Sequence, residues 1–236
     1  VDARAFWKDF KVGIGLHDSS SALIPYLACF SEPFVLISTG TWCITLNPFN
    51  NTPLTEDELK QDCLCYMSYR GEPVKASRLF AGNEHEIETK RLAAHFNTAA
   101  NHYKNVEYDI KIITALTGKD PKAPAIKFGE RNLSDYQDYE TAYHRLILDI
   151  MWQQLASTKL VIQEDKVNRI FVDGGFSKNS IYMHLLAEAF PQMEVYAASV
   201  AQATAVGAAL AIHKHWNSKP LPGDIIDLKF YAKPSI

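Results

Sequence analysis

Runs of apolar residues along the chain fall into two periods. Phe34 to Ile37 is a continuous apolar run, broken by Ser38, Thr39, Gly40 and Thr41 and resumed through Trp42, Cys43 and Ile44 to Asn47. This reads as a strand, a tight turn and a second strand. Arg169 to Val172 and Glu194 to Ala197 read as further buried strands, and Cys63 to Tyr69 with Gly71 to Lys75 as a short pair around Arg70 and Gly71. Val12 to Leu16 alternates with glycines, as a strand does when something lies close against it. Three-to-four spacing marks the helices. Tyr139 to Gln163 has the broadest apolar face, with Tyr143, Leu146, Ile147, Ile150 and Met151 on it. Leu79 to Phe96 presents Ile87, Arg91, Leu92 and Phe96 on one side and His85, Glu86, Glu88 and Lys90 off it. Ser180 to Phe190, an alanine-rich stretch from Val200 to His213, and a start at Ala22 complete the main set, with an acidic first turn at Thr55 to Leu59 adding a short helix. Residues 97–138 read as loops around a helical patch at Tyr108 to Leu116, an insertion between core elements. The tail from Asn217 has three prolines and no core pattern. Strands alternating with helices predict an α/β domain with a mixed sheet of about five strands flanked by helices.

Composition narrows the function. A chain of 236 residues, 47% hydrophobic and with a net charge of −3, builds an ordinary core and offers no basic stripe for nucleic acid. No apolar run reaches the roughly 18 residues that span a bilayer, and no signal-peptide pattern opens the chain, so the expected compartment is the cytoplasm. The cysteines Cys29, Cys43, Cys63 and Cys65 lack metal or redox spacing and read as buried free thiols. His213 and His215 close a helical pattern and read as decoration of its C-terminus.

Three stretches carry candidate chemistry. The Ser38 to Thr41 turn is either an ordinary hairpin turn or a place where hydroxyls and exposed N–H groups meet anionic oxygens. Asp18, between the Val12–Leu16 stretch and the next helix, is either an N-cap or a catalytic carboxylate, and the following serines can cap in its place. Asp173, Gly174 and Gly175 end a strand and lead through Asn179 into a helix whose N-terminus favours phosphate. Two such turns facing each other would clamp a nucleotide. A hydrolase reading, with Ser19, Ser20 or Ser21 beside His17 and Asp18, lacks the Gly-x-Ser-x-Gly elbow.

Gly15-Leu16-His17-Asp18, Ser38-Thr39-Gly40-Thr41-Trp42, Asp173-Gly174-Gly175-Phe176-Ser177-Lys178-Asn179 and the Ala201 to Ala209 stretch resemble, in order, the motifs of FGGY carbohydrate kinases. These are actin-like ATPases with ribonuclease H-like domains, and the His-Asp and Gly-Thr-Trp forms are most similar to the rhamnulokinase and fuculokinase branch. The resemblance implies phosphoryl transfer from ATP, with Mg2+, to a hydroxyl of a ketose such as rhamnulose or fuculose. It makes Asp18 the catalytic base and sets His17 and Ser19 against the sugar. Thr39, Gly40 and Thr41 would hold the phosphates, and Asn83, Gly174, Gly175 and Asn179 would lie at the nucleotide. Phe176 departs from a third glycine in many relatives, which would reshape the adenosine side. The resemblance further implies residues 1–30 as a lead-in from a missing N-terminal domain, residues 31–216 as the C-terminal nucleotide-binding domain and residues 217–236 as a tail. Without that partner domain the chain is expected to be inactive alone. Lost interdomain contacts predict an exposed apolar patch on Ala22 to Phe30, or self-association there as a homodimer.

Overall fold

A computed structural model describes residues 5–13, 15–118, 126–162, 167–200, 202–221 and 223–232. Ile14, Gln163, Ala201 and much of the 118–124 loop, all used in the sequence reading, lie outside these residues. A small hairpin of β1 (Ala5–Trp7) and β2 (Phe10–Val12) precedes α1 (Asp18–Cys29). The strand expected over Val12 to Leu16 therefore stops at Val12, because β2 turns back on β1 before the glycines are reached.

The main sheet contains β3 (Phe34–Thr39), β4 (Cys43–Asn47), β5 (Cys63–Met67), β6 (Pro73–Leu79), β7 (Arg169–Gly174), β8 (Glu194–Ser199) and β9 (Asp227–Tyr231). Their order is β5-β6-β4-β3-β7-β8-β9, seven strands rather than about five. One addition comes from the tail: β9 pairs antiparallel with β8 from Val195↔Tyr231 to Ser199↔Asp227, although four of its five side chains face solvent and only Tyr231 is buried. Backbone pairing at a sheet edge needs no apolar pattern, so nothing in the side chains announced it.

A short helix, α2 (Glu56–Lys60), starts at a capping box in which Thr55 and Glu58 satisfy each other's backbone N–H groups. The other helices are α3 (Ala81–His95), α4 (Ile110–Thr117), α5 (Tyr139–Lys159), α6 (Ser180–Ala189) and α7 (Ala203–Ala211). Helices α3, α4, α5 and α6 cover one face of the sheet, where the larger core joins Tyr143, Ile147 and Ile150 to Val35, Ile37 and Val172. On α3 the expected faces are partly exchanged: Ile87 is exposed, whereas Glu88 is buried and ion-paired with Arg91, whose guanidinium also donates to the Phe128 carbonyl.

The other face is covered by α1 and α7, with Leu23 and Tyr26 packed on Phe34, Leu36 and Phe171. A Cβ at Gly207 would lie 1.8 Å from the Ser21 carbonyl oxygen, so only glycine lets the two helices cross this closely. That crossing overturns the expected patch on Ala22 to Phe30: Ala22 to Tyr26 are buried between α7 and the sheet, and the rest of the stretch is half-buried. The histidine and thiol readings also shift. His213 is buried, hydrogen-bonded to Asn217 and edge-on to Trp216; Cys43 and Cys63 are buried, but Cys29 is half-buried and Cys65, on an edge strand, is exposed.

Candidate active site

Strands β3 and β7 are parallel neighbours with Ser38 opposite Asp173 and Thr39 opposite Gly174. Their C-terminal turns therefore leave the same end of the sheet side by side. Gly174 has φ +91°, and a Cβ there would lie 1.9 Å from the Thr39 carbonyl oxygen, so glycine is required on both counts. Thr39 is buried and clasps the two turns. Its hydroxyl donates to the Asp173 carbonyl at 2.5 Å and accepts the Phe176 N–H at 3.0 Å, while its carbonyl accepts the Gly175 N–H at 2.9 Å.

Four of the N–H groups at these turns are thus engaged within the protein. Gly40 donates to the Trp42 carbonyl, Gly174 to its neighbour Asp173 Oδ1, Gly175 to Thr39, and Phe176 to the Thr39 hydroxyl. The glycines instead contribute space: nothing lies within 4 Å of a Cβ built on Gly175. Thr41 is left open on the first turn: it is exposed, and its hydroxyl makes no hydrogen bond among the described residues.

Two clefts meet at Gly40. The first, about 510 Å³, lies between the β7–α6 turn, α3 and the insertion; its walls include Gly82, His85, Tyr103, Lys104, Gly175 and Lys178. The second, about 440 Å³, is lined by His17, Asp18, Ser19, Thr41, Trp42, Tyr66, Arg78 and Thr204. Asp18 is not the cap of α1. His17 is, its Nδ1 accepting the Ser19 N–H at 3.3 Å, which leaves the Asp18 carboxylate in the first turn and exposed to the second cleft. Ser20 and Ser21 are buried, the Ser21 hydroxyl donates to the Thr204 carbonyl, and His17 Nδ1 is taken by the Ser19 N–H, so among the described residues no serine hydroxyl is hydrogen-bonded to His17 as the hydrolase reading requires.

Asn179 caps α6, its Oδ1 accepting the Tyr182 N–H and its Nδ2 donating to the Tyr143 hydroxyl; it borders the first cleft through the rest of its surface. Asn83 lines neither cleft, but its N–H donates to the Thr41 carbonyl and holds the β3–β4 turn against α3. Phe176 does not fill the first cleft: its ring turns inward and stacks on Tyr182 at 4.6 Å, leaving part of one face as floor. Burial pushes the Asp173 carboxyl up from its ordinary range and drops the His85 imidazole to about 4.

Several lining residues were not singled out by the sequence. Arg78 pairs with Asp62 at 2.6 Å and sits over the Trp42 ring, whose other neighbour is Phe80 at 4.4 Å. Tyr66 meets the His17 ring edge-on, and His85 lies among Tyr103, Tyr143 and Phe176. These positions converge only through the β4–β6 pairing and the docking of α3, which leave no local signal in the chain.

Residues 31–220 match the family described as carbohydrate kinase FGGY, C-terminal domain. Comparison with curated proteins gives no match. Among solved structures, the fold is similar to a carbohydrate kinase from Novosphingobium aromaticivorans, at 21% identity and TM-score 0.62 over 95% of this chain and 49% of that one. It is also similar to xylulose kinase from Rhodospirillum rubrum, with 13% identity, TM-score 0.65 and coverage of 95% and 47%. Gluconate kinase from Lactobacillus acidophilus gives 15%, 0.66, 96% and 48%. The chain spans about half the length of these structures. With four-fifths of its length inside the family match and the paired turns of an actin-like sheet end in place, the chain belongs to the FGGY carbohydrate kinases and carries their C-terminal domain.

Proposed function

We propose that this chain is the nucleotide-holding half of an ATP-dependent kinase that phosphorylates a hydroxyl of a six-carbon ketose of the rhamnulose or fuculose kind. The observation that carries the reading is the junction of the two clefts at Gly40. A nucleotide with its base in the first cleft and its phosphates across the β3–β4 turn ends beside Asp18. The Asp18 carboxylate takes the proton of the acceptor hydroxyl as that oxygen bonds to the γ-phosphorus and the bond to the β–γ bridging oxygen breaks, releasing ADP. His17, its Nδ1 held by Ser19, turns its Nε2 toward the sugar, and Ser19 adds a second polar contact. Thr41 donates its hydroxyl to phosphate oxygen. Thr39, Gly40, Gly174 and Gly175 shape the passage, and Asn83 and Asn179 fix its walls.

No group of three or more His, Cys, Asp or Glu side chains among the described residues could cage a metal ion. Asp18, an exposed carboxylate in the second cleft, is the group of this chain that a Mg2+ carried in by the phosphates would meet. When bound, Mg2+ would neutralise charge on the phosphate oxygens.

Trp42 in the second cleft and Phe80 packed against its ring are at least 40% exposed. These exposed rings suit a second, N-terminal lobe that brings most of the sugar contacts, with residues 1–30 as the lead-in, 31–216 as the nucleotide-binding domain and 217–236 as the tail, although α1 of the lead-in and β9 of the tail pack into the same domain. In a protein that carries both lobes, Asp18→Asn is expected to lower ketose-dependent ADP formation by about 10²–10⁴-fold while ATP affinity stays within about twofold. Unchanged turnover would remove Asp18 from the mechanism. Nucleotide binding with no ketose phosphorylated by the unaltered protein would point to a non-catalytic nucleotide-binding module instead.

A further inference from the structure

His85 was not among the expected site residues, yet it forms part of the wall of the first cleft and its proton can be placed by hydrogen-bond logic alone. Asn179 Oδ1 accepts the Tyr182 N–H at 3.0 Å, which fixes the amide orientation and leaves Nδ2 as the group facing Tyr143. An amide nitrogen only donates, so the Tyr143 hydroxyl accepts from it at 2.7 Å. The hydroxyl's own proton then needs an acceptor in a fully buried place, and among the described residues the one hydrogen-bond partner besides the amide is His85 Nε2 at 2.9 Å. Nε2 must therefore be bare, and the neutral ring carries its proton on Nδ1. Nδ1 makes no hydrogen bond within the described residues, and it is not among the polar atoms sealed from solvent. Tyr103 at 4.9 Å and Phe176 at 5.2 Å flank the ring edge-on and hold its plane.

We propose that His85 Nδ1–H is the cleft's directional donor to the base of the bound nucleotide, contacting a ring-nitrogen acceptor of a purine. The inference rests on the nucleotide reading of this cleft. A neutral imidazole anchored through α5 and α6 offers one donor in one direction, whereas Lys104 and Lys178 at the rim are flexible cations suited to phosphate. The acceptor class follows, because adenine presents N1, N3 and N7 as unprotonated ring nitrogens.

The test is titration of this chain, by calorimetry, with ATP and with its 1-deaza, 3-deaza and 7-deaza analogues, each of which replaces one ring nitrogen by C–H. One analogue is expected to bind about tenfold more weakly than ATP and the other two about equally to it. His85→Phe should weaken ATP by a similar factor and abolish the difference between ATP and that analogue. His85→Gln, which can accept from Tyr143 through its carbonyl and donate through its amide, should restore most of the affinity. Tyr143→Phe removes no side chain that lines the cleft but frees the tautomer, and about threefold weaker binding is expected. Equal affinity for all four nucleotides, or ATP binding unchanged in both His85→Phe and Tyr143→Phe, would overturn the role of His85 while leaving the nucleotide cleft standing. No binding of ATP to the unaltered chain would overturn both.

Discussion

Two threonines in one turn do different work. Thr39 spends its hydroxyl on the Asp173 carbonyl and the Phe176 N–H, inside the protein; Thr41 leaves its hydroxyl to the cleft. Replacing each by valine separates the two roles. Thr39→Val strands a buried N–H and is expected to lower unfolding stability by about 1–3 kcal/mol in denaturant titration. Thr41→Val should leave stability nearly unchanged and weaken ATP about tenfold in a binding titration. Equal effects of the two on binding would refute the division. His85 adds a pH dependence. Its pKa is lowered by burial to about 4, so in the folded state it stays neutral until well below the pH at which the unfolded chain takes up its proton. The unfolded state therefore binds more protons from about pH 6.5 down to about 4. Stability should fall through that window as acid is added, by up to about 3 kcal/mol from this residue, and His85→Gln should flatten the fall by that amount in pH-dependent thermal melts.

The elements that carry the site were largely legible, because their signals are local. The hydroxyl-and-glycine turn between two apolar runs, the Gly174–Gly175 strand end and the long apolar face of α5 all appear where the sequence placed them. What was not legible was decided by which of several competing partners, near or distant in sequence, takes each group. Asp18 could be an N-cap or a free carboxylate, and the choice was made by His17, one residue earlier. The apolar start of α1 looked like an unfilled surface because α7, some 180 residues away, supplies its cover through Gly207. That glycine links packing to chemistry. A methyl group at Gly207 must push α1 away from α7, and α1 carries Asp18 at its first turn. Gly207→Ala should cost about 1–3 kcal/mol of stability and lower turnover through kcat, with ATP affinity preserved, since the first cleft lies on the other side of the sheet's end. Unchanged kcat in a folded, destabilised variant would separate the crossing from catalysis.

At the scale of the whole molecule, one sheet end serves two clefts that differ in how much of a site each contains. The first is walled on three sides, by α3, by the β7–α6 turn and by the insertion that contributes Tyr103 and Lys104. On the proposed reading this cleft takes the base and ribose of the nucleotide. The second gathers Asp18, Thr41, Trp42, Tyr66, Arg78 and Thr204, with Asp18, Thr41 and Trp42 exposed, and this chain spans about half the length of the kinases whose fold it shares. Proximity of acceptor and phosphate accounts for much of the catalysis in phosphoryl transfer, so on the proposed two-lobe reading this lobe alone should bind nucleotide without turning it over. The isolated chain is expected to bind ATP with an affinity within about tenfold of the two-lobed protein, and to release no ketose-dependent ADP above background in a coupled assay. Supplying the N-terminal lobe should restore turnover and also bury Trp42, which is 40% exposed here, so that its fluorescence blue-shifts and the shift disappears in Trp42→Phe. Robust ketose phosphorylation by the chain alone would mean that the acceptor is held by the wall already present, with His17, Ser19 and Trp42 as its whole site.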